Sequence, residues 1–220
     1  MSKAELIPNN SALISEELKG QIATLLSKMT QKVTLKAVLD YDNEKSMEMG
    51  SFLKVIASCS DLLDIEFYEK GEDVKLEEEL HTEYLPVVGL YDEVYKGVCF
   101  HGTPGGKEIN SFLAAICNLG GIGTPLEKRL LKNIAYIKNH LNVKVFVSLA
   151  CHHCPHVVAA CQKIAFANED VQIEMYDANL YPELVEKYNI QRVPMTVVND
   201  TTVIMGEKPI EDLVNRFMMI

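Results

Sequence analysis

Val143-Lys144-Val145-Phe146-Val147-Ser148-Leu149-Ala150-Cys151-His152-His153-Cys154-Pro155 reads as a strand that runs straight into a helix. The run from Val143 to Leu149 alternates in the β-branched and aromatic manner of a strand, and Pro155 suits the first turn of a helix reaching Ala167. The two cysteines therefore fall at a helix N-terminus. Unpaired backbone N–H groups and the helix dipole stabilise a thiolate there. Such placement moves a cysteine pKa from about 8.5 into roughly the 3.5–7.5 range, which makes a nucleophile available at neutral pH. Two intervening residues keep the second sulfur close enough to attack a mixed disulfide formed on the first. His152 and His153 are potential donors to that thiolate, acting to stabilise the dithiol and raise its reduction potential.

Composition narrows the setting. The chain has 220 residues, room for one large domain or two small ones. Lys and Arg number 21 against 31 Asp and Glu, a net charge of −10 that, with no basic run, argues against nucleic acid as a partner. A hydrophobic share of 48% with 24% charged residues supplies a core and excludes disorder. No stretch approaches the roughly 18 to 20 uncharged apolar residues of a membrane span, so no membrane association is expected. Acids stand where a signal peptide would need an apolar run, so the expected location is cytoplasmic. Six cysteines are too few for a disulfide scaffold, and one close pair among scattered thiols reads as catalytic or metal-binding. Cys59, Cys99, Cys117 and Cys161 read as core.

Outward from the dithiol, the order of elements repeats. The first half is expected to hold a helix over Ser15–Met29, capped by Ser15, and a strand over Val33–Leu39. A helix over Phe52–Cys59 and a strand over Ile65–Tyr68 follow. A hairpin, Leu85–Tyr91 and Val94–Phe100, precedes a helix over Lys107–Asn118 that stops at Gly120-Gly121. The second half is expected to run through a helix over Pro125–Asn139, the strand and helix around the cysteines, and a strand over Val171–Tyr176. A helix over Leu180–Tyr188, a hairpin across Asn199-Asp200 and a helix over Ile210–Met218 complete it. The acidic run Glu77-Glu78-Glu79 reads as a solvated helix face or loop. Ile65-Glu66-Phe67-Tyr68 resembles Ile173-Glu174-Met175-Tyr176 at an offset of 176 − 68 = 108, and Pro86 and Pro194 differ by the same 194 − 86 = 108. Two landmarks at one offset indicate a duplication. The predicted units are 1–120 and 121–220, packed together across a short boundary at Gly120–Gly123. At that offset Cys151 and Cys154 correspond to Asn43 and Ser46. Thiol chemistry at this turn is thus confined to the second unit.

A C-x-x-C closing a strand, a proline after it, and Val193-Pro194 opening the next hairpin resemble a thioredoxin fold. Two such units, only the second with a dithiol, resemble the N-terminal domain of the flavoprotein subunit of bacterial alkyl hydroperoxide reductase. The run from Ser148 to Pro155 looks like that family's active-site segment, and Phe100 to Glu108 like its glycine-rich stretch. The resemblance implies an α/β fold of two tandem thioredoxin-like units, with mixed sheets flanked by helices. It implies a cis Val193–Pro194 bond beside the dithiol, a partner groove formed by His152, His153, Pro155, Val193 and Pro194, and catalysis by Cys151 and Cys154. It also implies an electron route from a thioredoxin-reductase-like module carrying FAD and using NAD(P)H to a peroxiredoxin disulfide. No G-x-G-x-x-G follows a strand here, so this chain itself is expected to need no cofactor, as a domain of a longer chain or as a free carrier. Thioredoxin itself places a buried acid at the position of Val145 and a Trp at that of Ala150. The family places a Glu from the first unit near the dithiol instead. Glu108 matches it, which implies a partly buried proton acceptor with a raised pKa. From the residues alone, Glu108 reads as an exposed acid in the first turn of a helix.

Other readings stand beside this one. A stand-alone glutaredoxin-like or protein-disulfide-oxidoreductase-like enzyme normally keeps a dithiol in both units, which Asn43 and Ser46 oppose. His152, His153 and His156 around the pair suit zinc, yet no other C-x-x-C or H-x-x-x-H accompanies them, and no metal is predicted. A non-catalytic interaction module is the remaining alternative.

Overall fold

The structure, a computed structural model, describes residues 3–220; residues 1 and 2 of the expected first unit lie outside the described residues. A 3₁₀ turn (Lys3–Leu6) leads to α1 (Glu16–Leu26), β1 (Val33–Leu39), α2 (Glu44–Ala57), β2 (Leu63–Glu69) and α3 (Val74–Leu80). The hairpin β3 (Val87–Tyr91) and β4 (Tyr95–His101), a second 3₁₀ turn (Gly106–Glu108) and α4 (Ile109–Leu119) follow. The order then restarts with α5 (Lys128–Ile134), β5 (Leu141–Val147), α6 (Cys154–Ala167), β6 (Val171–Asp177) and α7 (Pro182–Lys187). The chain ends with β7 (Met195–Val198), β8 (Thr202–Met205) and α8 (Ile210–Phe217).

Local chemistry explains most boundaries. Ser15 caps α1 by accepting the Leu18 N–H at 3.2 Å, with Glu16 and Glu17 favourably placed in the first turn. Asn199 and Asp200 both adopt positive φ, 48° and 60°, as a tight hairpin turn requires. Gly121 ends α4 at φ 79°, and the Ile122 N–H reaches back to the Cys117 carbonyl at 3.0 Å in a Schellman closure. Two helices differ most from their expected lengths. α2 starts eight residues earlier than Phe52, at Glu44, because Asn43 caps it and the small residues Ser46, Gly50 and Ser51 fill a buried face that has no continuous apolar stripe. α5 covers only Lys128–Ile134 because the Asn168 side-chain amide donates to the carbonyls of Ile134 and Ile137, at 2.9 and 3.0 Å, where the helix would continue.

β1 takes β2 in parallel and β3 antiparallel, and β3 continues to β4. β5 does the same with β6, β7 and β8. The repeat extends to register: Val33 faces Leu63 and Leu141 faces Val171, with 141 − 33 = 108 and 171 − 63 = 108. The two mixed sheets are fused. β4 and β6 pair in parallel, giving one eight-stranded sheet ordered β2-β1-β3-β4-β6-β5-β7-β8. One face carries a single apolar core from Ile7 to Phe217 beneath α1, α2, α4, α5, α6 and α8. On the other face α3 and α7 each cover a smaller cluster, leaving a cleft between them.

The joint depends on Gly97, whose φ is 67° and whose missing Cβ would stand 2.9 Å from the Val171 carbonyl oxygen of β6. Gly97→Val combines a disfavoured backbone with that collision and is expected to cost about 2–3 kcal/mol. Thermal unfolding should register a fall in Tm of roughly 5–10 °C; an unchanged Tm would contradict the β4–β6 contact.

Candidate functional site

β5 ends at Val147, and four backbone steps later the chain reaches Cys151 at the mouth of α6. Cys151 and Cys154 are joined in a disulfide with their Cα atoms 5.6 Å apart. Cys151 is partly exposed and Cys154 fully buried, so a partner can reach only the first sulfur. The Cys154 N–H donates to Cys151 Sγ at 3.2 Å, which is the helix N-terminus acting on the sulfur as expected. Pro155 is buried at the second position of α6, where its missing N–H costs nothing.

The first unit uses the same position differently. The Ser46 N–H donates to Asn43 Oδ1 at 3.4 Å, and the Lys45 N–H to the same oxygen at 2.8 Å. With 151 − 43 = 108 and 154 − 46 = 108, an amide cap oxygen stands where the second unit has its partly exposed sulfur. Ser46 Oγ, at the place of Cys154, accepts the Asp40 N–H at 3.1 Å. One copy caps its helix with an inert oxygen. The other presents a sulfur to the N–H of the first residue of its helix.

Val193–Pro194 is cis, as is its counterpart Leu85–Pro86. Val193 and Cys151 pack against the same core, and Pro194 is buried with its carbonyl accepting the Gly206 N–H at 2.9 Å. His152 is exposed. His153 does not turn to the sulfur: its Nδ1 lies 2.5 Å from Glu207 Oε2, and His156 Nδ1 lies 2.8 Å from Glu207 Oε1. Glu207, held below its ordinary pKa by hydrogen bonds from His153 and then His156, thus anchors the rim of the dithiol. No sequence pattern points to Glu207, which reaches the site from the loop after β8.

Glu108 comes from the first unit. Its 3₁₀ turn packs on α6, and the Lys107 N–H donates to the Leu149 carbonyl at 2.8 Å, stitching the glycine-rich stretch to the loop before Cys151. A side chain at Gly106, φ 55°, would collide with that carbonyl. The exposed reading of Glu108 is overturned: the residue is 0% exposed because the second unit closes over it. Oε2 accepts the Ser111 hydroxyl, and Oε1 has no hydrogen-bond partner among the described residues. Burial pushes the carboxyl up to about 7, against the Ser111 hydrogen bond and with the charge of Asp177 adding to the rise.

A family model described as a thioredoxin domain matches residues 141–218, the half with the dithiol. The NTD_N/C domain of alkylhydroperoxide reductase AhpF from Enterococcus faecalis superposes with a TM-score of 0.88 at 38% identity, covering 93% of this chain and 99% of that one. This chain belongs to the family of AhpF N-terminal domains. The AhpF protein of Pseudomonas putida is 28% identical over 93% of the chain, but the chain covers 37% of that protein. The chain thus spans little more than a third of the length of such curated relatives. A protein disulfide oxidoreductase from Aeropyrum pernix shares the fold, with a TM-score of 0.85 at 21% identity over 93% of this chain and 92% of that one. The AhpF-type tandem fold and its paired sulfurs make this chain a thiol–disulfide oxidoreductase. Among the described residues no helix is long and apolar enough to cross a membrane.

The Glu108 environment has a measurable consequence. Its folded pKa of about 7 lies above its ordinary 4.5, so the folded protein binds the extra proton. The stability this provides is complete below about pH 4.5 and lost as pH rises through 7. Relative to the native chain, Glu108→Gln is expected to gain about 2–3 kcal/mol between pH 5 and pH 8 in urea unfolding. An equal difference at both pH values would show that the carboxyl is not held protonated.

Proposed function

We propose that this chain is a dithiol electron carrier of an alkyl hydroperoxide reductase system, passing electrons from a flavin-dependent, thioredoxin-reductase-like module to the disulfide of a peroxiredoxin. The observation that carries this reading is the asymmetry of the pair: a partly exposed sulfur held by a helix N–H, with its partner buried behind it. In the reduced state the Cys151 thiolate attacks one sulfur of the acceptor disulfide. A new S–S bond joins Cys151 to the acceptor, and the acceptor's other sulfur leaves as a thiolate. The Cys154 thiol then loses its proton to Glu108 and attacks Cys151 Sγ. The 151–154 disulfide forms, and the acceptor's second thiolate departs. Two electrons move from the carrier to the acceptor, and the donor returns them by the reverse exchange.

The Val193–Pro194 turn, Pro155, His152 and His153 shape the surface that receives the acceptor's chain. His153 does so as the Glu207-bound wall of that surface. FAD and NAD(P)H belong to the donor module, and this chain's own steps use sulfur and a carboxyl group alone. Glu108 suits the proton step because its unpartnered Oε1 is buried and its pKa near 7 lets it take and return a proton at neutral pH.

The test offers the reduced chain to a panel of oxidised peroxiredoxins and thioredoxins and follows transfer by rapid mixing. Faster transfer to peroxiredoxins is expected. Cys151→Ser should abolish transfer, and Cys154→Ser should accumulate a mixed disulfide that mass spectrometry detects. Glu108→Gln should form the mixed disulfide normally but resolve it about 10²-fold more slowly at pH 7. Transfer that survives Cys151→Ser would overturn the mechanism, and an unchanged resolution rate in Glu108→Gln would remove the carboxyl from it.

A further inference from the structure

The β4–β6 joint places Cys99 opposite Glu174 and His101 opposite Tyr176, on the face covered by α3 and α7 and away from α6. Cys99, His101 and Glu174 are at most 1% exposed, and one donor atom from each lies within 4.8 Å of the others. His101 Nδ1 stands 2.7 Å from the Tyr84 carbonyl oxygen, which can only accept, so Nδ1 carries a hydrogen. In the neutral ring, Nε2 is then a bare lone pair. It faces Glu174 Oε2 at 3.3 Å and Cys99 Sγ at 3.6 Å, while Oε2 already accepts the Tyr176 hydroxyl at 2.6 Å. A lone pair, a carboxylate oxygen and a thiol sulfur converge on one point, and a cation that displaces the thiol proton fits between them.

We propose that this point is a binding site for a divalent ion of the zinc class, held by Cys99 Sγ as a thiolate, His101 Nε2 and Glu174 Oε2. Zinc bound at about 2.3 Å to sulfur and about 2.1 Å to nitrogen and oxygen gives tetrahedral edges of roughly 3.6 Å (S–N) and 3.4 Å (N–O). The observed separations are 3.6 and 3.3 Å. The Cys99 thiol proton or a proton on Nε2 would each link only two of the three groups. A dication takes all three, and it neutralises a thiolate and a carboxylate together in a buried setting.

The groups behind the donors also fit. The Tyr84 carbonyl orients His101, as an outer partner does for a metal-bound imidazole. Tyr176 stacks on the His101 ring at 4.2 Å between centroids. Glu174 Oε1, the oxygen turned away from the ion, is held by the Asn142 side-chain amide and by His81 Nδ1 at 2.9 Å. Entry is through the cleft of about 710 Å³ between α3 and α7, where Glu174 lies in the floor and the His81 side chain, 43% exposed, stands at the edge. Binding releases the Cys99 proton to solvent and leaves one coordination position beyond the three protein donors.

The dithiol, with its three nearby histidines, also attracts metal, so the experiment uses the full chain carrying Cys151→Ser and Cys154→Ser. Cobalt(II) is titrated into this protein and then displaced with zinc(II). One equivalent showing thiolate-to-cobalt absorption, with a rise in Tm on adding zinc, is expected. Adding Cys99→Ser should abolish the thiolate band and weaken binding by roughly 10²-fold or more, and His81→Ala should weaken it by roughly 10- to 100-fold. Absence of the band from the Cys151→Ser/Cys154→Ser protein overturns the proposal, as does a band that survives Cys99→Ser. Should the Cys99→Ser chain fail to fold, unchanged affinity in His81→Ala overturns it.

Discussion

The parallel pairing of β4 with β6 is the contact on which the remaining architecture rests. It removes two strand edges at once and leaves only β2 and β8 open. It also fixes the two helical layers relative to each other, so that α4 of the first unit packs along α6 of the second. Through that packing a carboxyl group from residue 108 reaches the helix that begins at Cys154. A flexible tether between two independent units could not hold a buried glutamate there, because the water it would admit would return the carboxyl to its ordinary pKa. The first unit therefore packs against the helix that carries Cys154 although it has no dithiol of its own.

The duplication sets a structural cap oxygen and a disulfide sulfur in the same backbone surroundings. Asn43 Oδ1 and Cys151 Sγ accept a hydrogen bond from the backbone N–H three residues on, in the same strand-to-helix turn. The backbone already concentrates positive potential at this spot. An amide oxygen uses that potential to end a helix, whereas the proposed mechanism has a sulfur use it to stay ionised. Burial of Ser46 and of Cys154 behind these positions is likewise shared. Two side-chain differences at these positions give the second unit a pair of sulfurs where the first has an amide and a hydroxyl.

The strands, the dithiol turn and the tandem organisation were legible because they rest on short-range patterns: alternation in Val33–Leu39, a proline just after Cys154, and an offset of 108 between Tyr68 and Tyr176. Two kinds of feature were not. The first half of α2 and the early end of α5 depend on small buried residues and on the Asn168 side chain, neither of which leaves a periodic signal. The surroundings of individual side chains depend on the fusion of the sheets. Glu108 reads as an exposed first-turn acid until the second unit closes over it, and His153 reads as a donor to sulfur until Glu207 arrives from the loop after β8. Cys99, His101 and Glu174 are separated by 75 positions between first and last, and nothing in their local sequence marks them as a group.

The same fusion gives one sequence two physical meanings. Glu66 and Glu174 occupy equivalent positions, each accepting a hydrogen bond from the tyrosine two residues on, at 2.7 and 2.6 Å. Glu66 lies on the edge strand β2, exposed and paired with Lys36 at 3.2 Å, a surface contact of little energetic weight. Glu174 lies on β6, which the joint has made internal, and Lys144, its counterpart to Lys36, turns instead to Asp200 at 2.8 Å. A carboxylate moved from an edge to an interior keeps its charge only if new partners replace water. Glu174 has them in His81, Asn142 and Tyr176, drawn from both units. Because no single unit supplies that set, the buried carboxylate favours the joined arrangement over any separation of the halves, which would leave its charge without the His81 partner.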